Sequence, residues 1–218
     1  MCKASECVNK LIKRYPALEL VRSSYMDAYQ VFLHTYLSGR KLLLAGNGGS
    51  AADVEHIAGE LMKRFRIARP IDVSLQKKLI EIDPERGTSL AKNLEKSLMA
   101  IPLVAHEALT TAYINDVDGY GVFAQQLLGF GQPGDAFLAI STSGNSENIL
   151  NAAIVAKAIG ISVVGLTGQN GGKLKELADV CVCVPETETY RIQELHLPIY
   201  HAWCMMLEEH FFGNNSAE

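Results

Sequence analysis

No stretch of this 218-residue chain reaches the ~18 consecutive apolar residues of a membrane span. Its opening, MCKASECVNKLIKRYP, has no apolar core of the kind that secretion signals carry. Internal repeats, low-complexity runs and Pro/Gly/Ser linkers are also missing, so nothing marks a split into separate units. Net charge is only −4, which leaves no electrostatic footprint for nucleic acid or an acidic lipid surface. A small anionic ligand is not excluded, because a local site can be positive on an acidic protein. Cysteine is sparse: Cys2, Cys7, Cys181, Cys183 and Cys204 are odd in number and lack C-x-x-C spacing. That argues against a disulfide framework or a zinc ribbon. Reduced thiols and the missing leader together lead us to expect a cytoplasmic protein. In VCVCV, Cys181 and Cys183 alternate with valines, so both should project from one face of a strand as small buried hydrophobes.

What is present is ordinary for a globular chain: 48% hydrophobic and 20% charged residues, enough for one large domain or a domain with an extension. KLLLA, DAFLAIS, ISVVGLT and VCVCV are short apolar runs bounded by glycine turns or helical patterns, and they read as buried parallel strands. SLMAIPLVAH is a weaker candidate because of Pro102. Helical spacing occurs at 17–38, with Gly39 as C-cap, and at about 51–65, 117–129, 146–159, 172–178 and 190–212. Strand alternating with helix predicts a doubly wound α/β sheet, with ligands outside the carboxyl ends of the strands. Between Arg66 and about Leu98 a charged segment with its own turn signal, DPERG, reads as a solvated helical insertion.

Two loops fall at strand ends. Gly46-Asn47-Gly48-Gly49-Ser50-Ala51 satisfies G-x-G-x-x-A, but no strand ends near an acid ~20 residues on, as a dinucleotide site would need. No Gly-Lys-Ser/Thr follows, so a P-loop is excluded. What survives is a turn whose glycines let backbone N–H groups approach a ligand, with Asn47 adding an amide. In DAFLAISTSGNSENIL, Ser141, Thr142, Ser143 and Ser146 crowd the start of a helix. Ser146 suits an N-cap, but four hydroxyls exceed what a cap needs. Hydroxyls beside the free N–H groups of a helix start can hold a phosphate dianion without lysine.

His56 and Glu60 lie four apart and share a helix face just beyond the first loop. Far along the chain, RIQELHLPIYHAW supplies Gln193, His196 and His201. Such a set makes either a metal site or an acid–base site. Gln193 and His201 are separated by ~12 Å and ~80° on a straight helix, so they must lean together or serve different subunits. Pro198 between them could kink the helix. His196, off that stripe, reads as structural.

The combination of AGNGGSAADVEHIAGE, IND at 114–116, AISTSGNS, GLTGQNGG and RIQELHLPIYH resembles the sugar isomerase (SIS) domain family, most closely its phosphoheptose isomerases. The likeness spans about 40–66 and 100–212. It implies a three-layer αβα sandwich on a flavodoxin-like parallel sheet of five strands. Residues 1–39 would be a helical extension packing in the oligomer, and 40–212 the SIS domain. It further implies a homotetramer with active sites between subunits and a sugar phosphate as the only partner molecule. The implied reaction converts sedoheptulose 7-phosphate to D-glycero-D-manno-heptose 7-phosphate through an enediol. By the same resemblance Asn47, Gly48, Gly49, Asn115, Asp116, Ser141, Thr142, Ser143, Ser146 and Gln193 contact substrate. Glu60 and His201 form the acid–base pair, and His56, Glu60, Gln193 and His201 match the ligands of a zinc. The insertion at about 67–98, roughly thirty residues longer than the family's usual connection, departs from the pattern. A non-catalytic phosphosugar-binding or replication-initiator-associating relative is the alternative, but the initiator-associating relatives lack the carboxylate and final histidine present here. A nicotinamide oxidoreductase rests on G-x-G-x-x-A alone.

Overall fold

A computed structural model describes residues 4–213. The four apolar runs form strands, and the proline-bearing candidate forms a fifth: β1 (Leu42–Ala45), β2 (Ala100–Pro102), β3 (Ala136–Ile140), β4 (Ser162–Thr167) and β5 (Val180–Cys183). All pairings are parallel, in the order β2-β1-β3-β4-β5. Pro102 is tolerated because β2 is an edge strand with only β1 beside it, where one missing N–H costs little. This is the flavodoxin-like strand order, whose switch point lies between β1 and β3.

Alternate residues of the strands feed two cores. Leu42, Leu44, Leu138, Ile140, Val164, Leu166 and Val182 pack on one side; Leu43, Ala45, Phe137, Ala139 and Val163 pack on the other. The first side is covered by α2 (Arg22–Leu37), α3 (Gly49–Met62) and the long α10 (Thr189–Phe212), with α1 (Ala4–Arg14) outside them. On the second lie α7 (Val122–Phe130) and α8 (Glu147–Ala158), with the single turn α9 (Leu174–Leu177) beside β5. Helix α10 has twelve buried residues and passes Pro198 without breaking. Trp203 anchors it to α2, stacking on Tyr25 at 5.4 Å and donating its indole N–H to the Tyr25 carbonyl at 3.0 Å.

The charged segment forms two antiparallel helices, α4 (Val73–Ile82) and α5 (Pro84–Asn93). Asp83 caps α5 by accepting the Arg86 N–H, and Gly87 lies so close to the Leu79 carbonyl that a side chain there would collide. Neither helix has a buried residue except Gly87. Helix α6 (Glu107–Asp116) stands where no helical pattern was expected, and the pattern at 117–129 starts late, in a 3-10 turn at Gly119–Gly121 before α7. Cys181 and Cys183 do share a face of β5, but they are half-buried because β5 is the other edge strand. Cys2 lies outside the described residues. Among those residues no helix is long and apolar enough to cross a membrane.

Candidate functional site

The loops after β1 and β3 meet at the switch point, because α3 and α8 leave on opposite faces of the sheet. Gly48, at φ +56°, turns the chain into α3, and Gly49 then abuts the Gln193 amide, leaving no room for a Cβ. Gln193 thus stands over the first loop. Asn47 exchanges two hydrogen bonds with Asn148 of α8, at 3.0 and 2.8 Å, which ties the two loops together. Asn148 was not singled out in the sequence, although it sits at the second position of the helix that STSGNS begins.

In the second loop Ser146 occupies the N-cap position of α8, but its hydroxyl makes no capping bond. It faces the Ser141 hydroxyl at 3.1 Å instead. The capping role is therefore absent, and the hydroxyl remains available beside the first N–H groups of α8. Gly144, at φ +64°, packs on the Gly171 carbonyl, while Asn145 folds back on Ser143 through two bonds of 3.1 and 2.9 Å. The loop is braced from beneath by the Gly168 N–H donating to the Thr142 carbonyl and Leu174 N–H donating to that of Gly144. Its backbone needs are met internally, so its hydroxyls and the helix start are the groups left to face a ligand.

The acid–base residues meet where α3 crosses α10. His56 Nε2 lies 3.3 Å from Glu60 Oε1 and 3.4 Å from His201 Nε2. Glu60 is 14% exposed, and its other oxygen is buried without a partner. The Tyr200 hydroxyl donates to Asp53 Oδ1 at 3.2 Å and receives the His56 Nδ1–H at 3.2 Å. That relay leaves the His56 Nε2 lone pair aimed at Glu60 and His201, an arrangement that requires a proton or a cation between acceptors. Burial holds the His201 pKa below its usual value, reinforced by the neighbouring His56. His196 is fully buried on β4, against the Thr167 carbonyl, with its pKa pushed down to about 4 by burial. It is a neutral core residue.

The positions of α3 and α10 are locked by a pair that the sequence did not reveal. Arg69 and Glu208 are 0% and 1% exposed and joined at 2.8 Å. Glu208 also accepts the N–H groups of Phe65 and Arg66, while Arg69 donates to the carbonyls of Leu61 and Glu60. The arginine therefore grips the backbone of Glu60 itself. Asn115 and Asp116 lie exposed at the end of α6, bonded to each other at 2.8 Å; among the described residues no hydrogen bond links them to either loop. The chain brings together Asn47, Gly49, Gln193, the hydroxyl loop and the His56–Glu60–His201 cluster, but not this pair.

A metal fits in donor type. The two spacings within the cluster match the ~3.3 Å edge of a tetrahedron with ~2.05 Å bonds. Yet among the described residues no three His, Cys, Asp or Glu side chains are arranged to hold an ion. The cluster supplies two such spacings and not a closed set of ligands.

Residues 94–168 match the SIS domain model. The chain is 42% identical to a phosphoheptose isomerase of Aneurinibacillus thermoaerophilus over 84% of this chain and 79% of that protein. Against the same enzyme of Clostridium acetobutylicum it is 35% identical, over 98% and 93%. The structure of the phosphoheptose isomerase from Neisseria gonorrhoeae superposes with a TM-score of 0.72 at 30% identity, covering 93% of this chain and 95% of that one.

Proposed function

Because the chain belongs to the phosphoheptose isomerase family of SIS-domain proteins, we propose that this crevice interconverts sedoheptulose 7-phosphate and D-glycero-D-manno-heptose 7-phosphate. The enzyme is an aldose–ketose isomerase. The observation that carries the assignment of roles is the buried, unpartnered oxygen of Glu60 beside two imidazoles. Ser141, Thr142, Ser143 and Ser146 hold the phosphate at the start of α8, and Asn47, Gly48, Gly49 and Gln193 hold the sugar. Glu60 removes the C1 proton of the ketose while His201 protonates the C2 oxygen, giving the enediol. Glu60 then returns a proton to C2 as His201 takes the one on O1. NMR of the enzyme with five-, six- and seven-carbon ketose phosphates tests this reading. Aldose anomeric signals should grow from the seven-carbon substrate; their growth from a shorter sugar alone would replace the substrate.

Thr142→Val should weaken binding of substrate and of free phosphate in parallel, by roughly ten- to a hundredfold, since a hydroxyl bond to a charged group contributes about 1.5–3 kcal/mol. Unchanged inhibition by phosphate would refute the loop assignment.

We also propose zinc held by His56, Glu60, Gln193 and His201. When bound it would supply a Lewis acid to the carbonyl and hydroxyl oxygens. The support is the facing imidazole nitrogens and the orphaned Glu60 oxygen. Elemental analysis of protein purified without chelator should find near one metal per chain; less than a tenth, in fully active enzyme, would refute it.

A homotetramer completes the reading, with Asn115 and Asp116 reaching the crevice of a neighbour. Their exposure and their distance in bonding from both loops support it. Light scattering at micromolar concentration should give four chains, and a monomer would contradict it. A cytoplasmic location agrees with Cys181 and Cys183 standing as unbridged thiols.

A further inference from the structure

Cys181 and Cys183 take no part in the chemistry above, yet their sulfurs lie only 3.7 Å apart on the edge strand β5. Thr167, on the neighbouring strand, donates its hydroxyl to Cys183 Sγ at 3.4 Å and stands 3.7 Å from Cys181 Sγ. Both thiols are half-buried, whereas Cys204 is buried in the opposite core. The hydrogen bond shared with Cys181 holds the Cys183 pKa down to about 6, with Lys175 adding a smaller pull, and Cys181 is pushed up in return.

A disulfide does not suit this geometry. Residues i and i+2 of an extended strand have Cα atoms ~6.6 Å apart, at the outer edge of the ~4.4–6.8 Å that disulfides span. One bridging atom does suit it: two bonds of ~2.3 Å at the roughly 100° angle of a pyramidal trivalent centre set sulfurs ~3.5 Å apart, close to the 3.7 Å here. A metal ion would need further ligands, and among the described residues no third His, Cys, Asp or Glu completes a set. A trivalent centre that already carries one substituent needs two sulfurs and nothing more.

We propose that Cys181 and Cys183 form a dithiol site for monosubstituted trivalent arsenicals, R–As(OH)2, and that occupancy loosens the phosphate loop. Two As–S bonds form and two As–O bonds break. The hydroxyls leave as two waters with the two thiol protons, and no atom changes oxidation state. Coupling to the loop is by contact. A Cβ built on Gly171 would meet Cys183 Sγ at 3.0 Å, so this glycine rests directly on the thiol. The same glycine's carbonyl packs on Gly144, and the Gly168, Lys173 and Leu174 N–H groups donate to Thr142 O, Asn145 Oδ1 and Gly144 O at 3.0, 3.1 and 2.9 Å. A substituent seated on the sulfurs must displace the 168–174 brace, and residues 142–145 follow it. This second half rests on the assignment of that loop to phosphate.

Phenylarsine oxide added to the full-length enzyme is the test, read by intact mass. One adduct per chain should form, reversed by excess small dithiol and not by monothiol, and it should vanish in Cys181→Ser and in Cys183→Ser. With it, KM for the sugar phosphate and Ki for inorganic phosphate should both rise roughly tenfold, with kcat retained. An adduct surviving in Cys181→Ser, or a loss of two hydrogens without arsenic, overturns the site. An adduct with unchanged KM and Ki overturns the coupling. Absence of isomerase activity in the untreated enzyme would instead strike at the proposed reaction, leaving the mass result as independent support for the site.

Discussion

Glu60→Gln will bind sedoheptulose 7-phosphate nearly as tightly as the parent and turn it over roughly a hundredfold or more slowly. The amide keeps the shape of the carboxylate and its bond toward His56, so the packing of α3 on α10 is undisturbed. What disappears is the ability to take a proton from carbon. The free oxygen of Glu60 is buried, which shields the transferred proton from bulk water. His201→Ala should also lose turnover, because it removes the group that serves the oxygens. Stopped-flow or steady-state kinetics separating kcat from KM reads the result. Near-normal kcat in Glu60→Gln would end this mechanism and favour a passive phosphosugar receptor.

Glu208→Ala should cost about 3–5 kcal/mol of stability, because it strands the Arg69 guanidinium in a site that admits no water. The glutamate also accepts two backbone N–H groups besides two from the guanidinium, so four N–H bonds are lost at once. Urea unfolding at fixed protein concentration measures the loss. Replacing both partners, Arg69→Met with Glu208→Leu, should recover part of it, since no buried charge then remains. A loss below about 1 kcal/mol in the single variant would show that solvent reaches the pair. Activity should fall as well, since Arg69 holds the Glu60 carbonyl at 3.1 Å.

The strands were legible because parallel strands buried on both faces must be short apolar runs, and LLLA, AFLAI and SVVGLT have little else to be. The two loops were legible because strand order places them side by side, and their residue types are costly to explain otherwise. Helix α6 was not: it buries no residue, so no apolar stripe betrays it. The Arg69–Glu208 pair joins positions 139 apart, and charged residues ordinarily signal surface, so no local pattern reports their burial. Tyr200 and Asp53 escaped notice because their value lies in what they do to His56, a relation that exists only once α3 and α10 have packed. For Cys181 and Cys183 the face was right and the depth was wrong, since sequence does not say which strand lies at an edge.

The α4–α5 hairpin has one more property, which follows from how it is joined to the domain. Pro70 bridges Glu95, and the Lys96 N–H donates to the Arg69 carbonyl at 2.7 Å, so the chain leaves and re-enters at almost one point. The Lys96–Asp72 ion pair closes the neck just outside it. A segment anchored this way is topologically a detachable loop. Its length can change at a cost that grows only logarithmically, roughly 0.6 kcal/mol per doubling, while the registers of α3, β2 and α10 stay as they are. Within one chain, a change in the length or sequence of residues 73–94 therefore leaves in place the backbone grip of Arg69 on Glu60.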